Sequence, residues 1–173
     1  MTVKAFRIRS DEAGKISSGF ENIPLSEVGS GDVLIRVAFS SINYKDALAA
    51  TGEGKVVRGF PRIGGIDLAG IVEESANPKF TPGQKVLVTG YGIGEASDGG
   101  YAEFARVKSE WVVPLPKNVS LFESMAIGTA GFTAAQCVDR IQLLGITPSQ
   151  GKVVVTGSSG GVGSQAVGML ANC

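Results

Sequence analysis

The residues whose types and spacing most clearly indicate a chemical role are three glycines near the end of the chain, Gly157, Gly160 and Gly163. They follow the apolar run 153–156, which predicts a buried strand, and they precede a segment that predicts a helix. The amide groups at a helix N-terminus can bind the diphosphate of a dinucleotide. The G-x-x-G-x-x-G spacing differs from the commonest fingerprint, G-x-G-x-x-G, but meets a similar demand for close backbone approach. An ordinary strand-to-helix turn is the alternative interpretation.

The composition argues against several other kinds of chemistry. The 173 residues include no histidine and two widely separated cysteines, Cys137 and Cys173, so a zinc site or a disulfide framework is not expected. The formal net charge is +0 without a basic patch, which argues against nucleic acid or a membrane surface as a partner. The N-terminus lacks the apolar segment of a signal peptide, and a cytoplasmic location is expected.

The elements that must position these residues fall into two groups. Over residues 1–118, short apolar segments separated by glycine and proline predict a small β-barrel or sandwich. The predicted strands are 33–40, 66–73, 85–88, 101–107 and 111–115. In the first of these, Val33, Ile35, Val37 and Phe39 alternate as on the buried face of a strand.

The pattern changes to a helical one near Ser120. Ser120 and Glu123 have the spacing of a capping box, and Gly145 is a suitable helix stop. The apolar residues at helical spacing between them are Phe132, Ala135, Val138, Ile141 and Leu144. A further helix is expected from Gly160 to about Ala171, with Val162, Ala166, Met169 and Leu170 on its buried face. Cys137 is expected in the core. The expected fold is therefore α/β overall, with one domain at 1–118 and the beginning of a second at 119–173.

Five segments together resemble the zinc-free branch of the medium-chain dehydrogenase/reductase superfamily, and in particular its quinone oxidoreductase-like subgroup, which includes NADPH-dependent acrylyl-CoA reductases. They occur in the order and at the spacing of that family. The segments are 40–46 (SSINYKD), 61–72, 99–104 (GGYAEF), 128–134 (GTAGFTA) and 156–163.

The resemblance implies a fold and an activity. Residues 1–118 would form a GroES-like domain that carries much of the substrate cleft, and residues 119–173 would begin a Rossmann domain that binds NADPH. Hydride transfer would reduce an activated carbon–carbon double bond, with acrylyl-CoA the leading substrate and a quinone the second. The intact family members are usually homodimers. By the same resemblance, Ser159, Gly160, Gly161 and Val162 would line the cofactor phosphates.

The resemblance also directs attention to Tyr44. It implies a cofactor contact for this residue, and the tyrosine hydroxyl could protonate the α-carbon after hydride reaches the β-carbon of an enoyl thioester. Asn43 is a second candidate for stabilising the enolate that forms between these steps. A helix cap with a packed aromatic side chain is the alternative for Asn43 and Tyr44. Lys45 could meet a substrate carbonyl or a coenzyme A phosphate, or be simply solvated.

A comparison with the zinc-dependent branch accounts for the absence of metal ligands. Asn43 stands where that branch has a cysteine, and Gly65-Ile66-Asp67 stands in place of its Gly-His-Glu. Isoleucine cannot bind zinc. Asp67 could orient Tyr44 or Lys45, but a turn or surface carboxylate is the favoured interpretation.

The second domain is expected to be incomplete in this chain, which has the opening of a βαβ series only. The 173-residue chain is accordingly expected to have little or no reductase activity by itself. A GroES-like module that binds a partner without chemistry is the hypothesis from a different functional class.

Overall fold

A computed structural model describes all 173 residues, which divide into two compact units, Met1–Ala126 and Ile127–Cys173. The first consists mainly of antiparallel strands, and the second is helical. No helix is long and apolar enough to span a bilayer.

The first unit contains two antiparallel sheets, one complete α-helix and the first residues of a second. One sheet has the strand order β2-β1-β4 and the other the order β7-β3-β5-β6-β8. The strands are β1 Thr2–Ser10, β2 Ile16–Pro24, β3 Val33–Phe39, β4 Arg62–Ile63, β5 Asp67–Ser75, β6 Lys85–Thr89, β7 Phe104–Val107 and β8 Val113–Pro114. Helix α1, Tyr44–Thr51, follows β3, and single 3-10 turns occupy Leu25–Glu27 and Ser109–Trp111.

Strand β3 contributes to two hydrophobic cores. Val33 and Ile35 lie in the core formed with β5, β6 and β7, whereas Leu34 lies in the core formed with β1 and β4. The alternation in the sequence predicts a half-buried strand, but the first three residues of β3 are all buried, and Phe39 at its end is 43% exposed. The first half of the strand therefore lies between two cores, whereas Arg36 and Ala38, on the same face as Leu34, are exposed.

The predicted strands occur with altered ends. The strands predicted at 101–107 and 111–115 are shorter than expected, because part of each segment forms hydrogen bonds outside the regular strand pairing. The amide of Tyr101 bonds to the carbonyl of Gly64, so regular pairing of β7 begins at Phe104. The turn Ser109–Trp111 leaves only Val113–Pro114 for β8.

Helix α2, Leu121–Leu143, starts at the predicted capping box. The Ser120 hydroxyl accepts from the Glu123 amide at 3.1 Å, and the Glu123 carboxylate accepts from the Ser120 amide at 2.8 Å. These reciprocal bonds satisfy two backbone donors at the helix start. The helix is interrupted at Gly128, whose φ of 51° and ψ of −161° are not helical.

The second unit continues with the 3-10 turn Pro148–Gln150 and helix α3, Gly161–Leu170. The strand predicted at 153–156 is wrong: this segment is irregular, and Val154 is 84% exposed. A strand needs a hydrogen-bonded neighbour, and no other strand lies beside this segment.

Several apolar side chains of the two helices are not in the core. Cys137, which the sequence predicts to be buried, is exposed. Phe132 in α2 and Leu144, directly after the helix, are also exposed. Val138, from the same predicted set, is buried, and so is Ala134. In α3 Ala166 is buried as predicted, whereas Val162 is 39% exposed. Helical spacing predicts which residues share a face, but which face is covered depends on the neighbouring elements.

Candidate active site

Three segments that are distant in sequence meet at the N-terminus of α1. The backbone of Gly99–Tyr101 lies against Gly64–Gly65: the amide of Gly100 donates to the carbonyl of Gly65 at 2.9 Å, and that of Tyr101 to Gly64 at 2.9 Å. A Cβ atom on Gly99 or Gly100 would overlap a backbone carbonyl of the facing segment. Glycine is therefore required for this close approach.

Asp67 is fully buried at the beginning of β5. Its Oδ2 accepts hydrogen bonds from the Asn43 side-chain amide at 2.9 Å and from the Ser41 hydroxyl. The Ser40 hydroxyl donates to the Asp67 carbonyl at 2.6 Å. The interpretation of Asp67 as a turn or surface carboxylate is thus wrong, because the residue lies inside the sheet and anchors the segment before α1.

Asp46 holds the same segment from the helix side. It is the third residue of α1 and is 6% exposed. One carboxylate oxygen accepts from the Asn43 amide at 2.8 Å, and the other from the Ile66 amide at 3.0 Å. A carboxylate in the first turn also interacts favourably with the positive end of the helix. Asp46 thereby links the start of α1 to the residue that precedes β5.

Tyr101 completes this buried network. Its hydroxyl donates to the Ser41 carbonyl at 2.9 Å. Burial, and then the nearby Asp46 carboxylate, raise the pKa of the Tyr101 phenol above its ordinary value. The hydroxyl therefore stays protonated in the neutral range and remains a donor. The sequence motifs include the segments that contain Ser41 and Tyr101, but they do not predict the hydrogen bond between these two residues.

Asn43 and Tyr44 are adjacent but differ in exposure. Asn43 is the N-cap of α1, and both of its side-chain amide hydrogens are donated, to Asp67 Oδ2 and to Ser41 Oγ at 3.1 Å. Tyr44 is the first helical residue and is 81% exposed, and its hydroxyl makes no hydrogen bond within the chain. Asn43 thus has no donor left for a ligand, whereas the Tyr44 hydroxyl does. The alternative of a packed aromatic side chain is not what the structure shows.

Lys45 is neither isolated nor simply solvated. Its ammonium group forms an ion pair with Glu95 Oε1 at 2.8 Å, with the lysine side chain half-exposed. A substrate carbonyl or phosphate would have to compete with this carboxylate.

An apolar groove of about 620 Å³ is lined by residues of α1 and of strands β1, β2 and β3. Apolar side chains dominate its lining, among them Phe6, Phe20, Phe39 and Ile42. Tyr44 is not part of the lining.

The glycine turn lies in the second unit, at the start of α3. Gly157 has a φ of 63°, and Gly160 is the N-cap of the helix, with its amide bonded to the Gly157 carbonyl at 3.0 Å. Residues 159–162 are exposed. No acidic residue occupies the first turn of α3, and the first amides of a helix have no partner within it. This set of exposed amide donors fits a phosphate group.

Gly163 is the glycine of this turn that packing requires. A Cβ atom there would overlap the Gly157 carbonyl, with its carbon at 2.8 Å. Gly163→Ala is expected to destabilise the second unit by about 1–3 kcal/mol, because the turn must open to accept the methyl group. Urea denaturation of the chain followed by the helical circular dichroism signal would measure this change.

Gly168→Ala is the matched control, in the same helix. A Cβ atom at Gly168 meets no atom within 4 Å. The control is expected to stabilise the helix by about 0.5–1 kcal/mol, as alanine has the better helix propensity. Equal effects of the two substitutions would contradict a packing role for Gly163.

No group of three or more histidine, cysteine, aspartate or glutamate side chains in the structure is arranged to hold a metal ion. Ile66, which stands at the position of the zinc-ligand histidine, is buried beside Asp67.

The comparisons with known proteins agree with this geometry. Residues 29–117 match the model of the alcohol dehydrogenase GroES-like domain. The chain is 51% identical over 157 residues to the probable acrylyl-CoA reductase AcuI of Escherichia coli, covering 91% of this chain and 48% of that protein. It is 48% identical over 158 residues to the putative quinone oxidoreductase YhfP of Bacillus subtilis, covering 91% and 48%.

A solved structure shows the same fold. The yhdH oxidoreductase from Salmonella enterica, crystallised in complex with NADP, superposes with a TM-score of 0.94 at 51% identity, over 96% of this chain and 51% of that chain. The Bacillus subtilis protein yhfP, crystallised with NAD bound, has a TM-score of 0.94 at 45% identity, over 98% and 51%. This chain thus spans about half the length of the proteins that it matches.

Proposed function

The chain belongs to the alcohol dehydrogenase GroES-like family, among the medium-chain dehydrogenases/reductases, and on that premise we propose that the complete protein is a zinc-independent, NADPH-dependent reductase of activated carbon–carbon double bonds. Acrylyl-CoA is the leading substrate, and propionyl-CoA is its product. The observation that carries this proposal is the exposed, unpaired hydroxyl of Tyr44 on a helix start that buried polar contacts hold in place. We further propose that the complete protein is a cytoplasmic homodimer.

The cofactor would be held by the glycine turn. The amides of Ser159, Gly160, Gly161 and Val162, together with the Ser159 hydroxyl, would bind its phosphates. When held there, the reduced nicotinamide would supply hydride for the β-carbon of the enoyl thioester. The name of the relative from Escherichia coli and the NADP in the Salmonella enterica structure support NADPH and an acrylyl thioester.

Tyr44 would complete the reduction. After hydride reaches the β-carbon, the negative charge lies on the enolate of the thioester, and the α-carbon accepts the proton of the Tyr44 hydroxyl. The resulting phenolate is reprotonated by water, to which Tyr44 is 81% exposed. The hydroxyl could also donate a hydrogen bond to the nicotinamide in the resting complex. Asn43 is the weaker candidate for the enolate, because its two amide hydrogens are already donated.

Quinone reduction is the second candidate, supported by the name of the relative from Bacillus subtilis. The same cofactor site would serve it, but no proton transfer to carbon would be needed. A non-catalytic module that binds a protein partner is the third, and it would leave the exposed amides of the glycine turn without a use.

Steady-state oxidation of NADPH by the complete protein separates these functions. We expect turnover with acrylyl-CoA that exceeds turnover with a benzoquinone, and slower turnover when NADH replaces NADPH. Propionyl-CoA, which has no double bond, is the matched control and should give no oxidation. Turnover with the quinone alone would favour the second candidate, and no turnover with either substrate would favour the partner-binding module.

A further inference from the structure

We infer that Asp67 is a positioning residue for Tyr44, through its hydrogen bonds with Ser41 and Asn43. The inference rests on the proposed function, since it takes Tyr44 as the residue that donates the proton. Asp67 itself is buried and points its carboxylate at the segment before α1, so it acts through that segment and not on the substrate.

The position of Asp67 is fixed by the sheet. It is the first residue of β5 and pairs with Thr89 of β6, while the next residues of β5 pair with β6 on one side and with β3 on the other. Because strand pairing holds Asp67 in place, its carboxylate does not shift when the segment before α1 moves. The donors that bond to Asp67 are therefore held in fixed positions relative to the sheet.

The connection from β3 to α1 is short and bonded mainly to this one residue. Only residues 40–43 separate Phe39 from Tyr44. Within them, the hydroxyls of Ser40 and Ser41 and the side-chain amide of Asn43 all donate to Asp67. Because the Asn43 side chain is turned inward to the carboxylate, the orientation of the next residue on the helix is set as well.

Formation of α1 does not by itself require Asp67. Asp46 already caps the helix through the Asn43 amide at 2.8 Å and links it to the Ile66 amide at 3.0 Å. Burying a further carboxylate with its donors has a desolvation cost that an apolar contact would not have. A requirement for exact orientation of the helix start accounts for this cost, as catalytic groups lose rate when displaced by about 1 Å.

The test compares single and double variants of the complete protein. Asp67→Asn is expected to lower kcat with acrylyl-CoA by about 10- to 100-fold, with KM unchanged, because the Tyr44 hydroxyl loses its alignment. Asn43→Asp should lower kcat as well, since it places two carboxylates in contact. The double variant, Asp67→Asn with Asn43→Asp, exchanges the amide and the carboxylate, so that one donor again faces one acceptor. It is expected to recover most of the lost kcat.

Asp32→Asn is the matched control. Asp32 lies at the opposite end of β3, where it accepts from the Ser109 amide at 2.6 Å, and its replacement should leave kcat at the wild-type value. A double variant that is no faster than Asp67→Asn, or an Asp67→Asn protein with wild-type kcat, would overturn the inference. Circular dichroism of each variant establishes that it is folded.

Two further readouts separate this inference from the proposed function. In a Tyr44→Phe background, Asp67→Asn should cause no further loss of kcat, whereas a general loss of structure would multiply the two effects. If the wild type has no turnover, the proposed function fails. Amide hydrogen exchange then tests whether Asp67 holds the segment before α1. Asp67→Asn, but not Asp32→Asn, should accelerate exchange at residues 41–44. Unchanged exchange would refute the positioning role.

Discussion

If the proposed function holds, replacing Tyr44 with phenylalanine is expected to lower kcat of the complete protein with acrylyl-CoA by about 10²- to 10⁴-fold, the contribution usual for general acid catalysis. The phenol oxygen makes no hydrogen bond within the chain and the side chain is 81% exposed, so its removal should not change the melting temperature. KM should change little, because the proton is transferred only in the chemical step. Steady-state kinetics with NADPH would measure both constants.

Tyr91→Phe is the control for this experiment. Tyr91 is also exposed, at 63%, and its ring stacks on Trp111. The control removes the same hydroxyl oxygen from the surface and is expected to keep the wild-type kcat. Normal turnover of the Tyr44→Phe protein would show that another group, or water, supplies the proton.

Replacing Leu68 with alanine is expected to destabilise the first unit by about 2–5 kcal/mol, the range for removal of a buried leucine side chain. Leu68 is 0% exposed and lies in β5, in the core with Val33 and Ile35. Trp111 is the single tryptophan and packs against this core, so urea denaturation followed by its fluorescence reports on this unit.

The control for this second substitution is Ile42→Ala in the same unit. Ile42 is 90% exposed, and the free energy of unfolding is expected to change by less than about 0.5 kcal/mol. A Leu68→Ala protein as stable as this control would mean that the core rearranges to fill the space.

Local sequence patterns predicted much of the fold. Strands β3, β5 and β6 are apolar and bounded by turn residues, and the start of α2 has a capping box whose bonds form locally. The hairpin of β1 and β2 was not predicted as such, because β2 is mostly polar and exposed along its length. The segment 153–156 is the opposite case: it is apolar and predicted to be a strand, but it forms none because no neighbouring strand pairs with it.

The candidate site was less predictable because it depends on pairing between distant residues. The register of β3 with β5 places Phe39 opposite Ala69, which brings Ser41 and Asn43 to Asp67. No local pattern contains this contact, and an aspartate two residues after a pair of glycines has the local features of a surface turn. The domain limits at 118–119 and the roles of Tyr44 and residues 159–162 stay predictions that the kinetic experiments address.

The close approach of Gly99–Gly100 to Gly65 and Asp67 limits how this protein could be redesigned. Gly99 lies against the Gly65 carbonyl and Gly100 against the Asp67 carbonyl, so any larger residue at either glycine would force the two segments apart. Directed evolution toward larger or differently charged substrates would therefore have to use residues that project outward, such as Ile42 and Lys45. Libraries that keep the glycines constant should contain a higher fraction of folded variants.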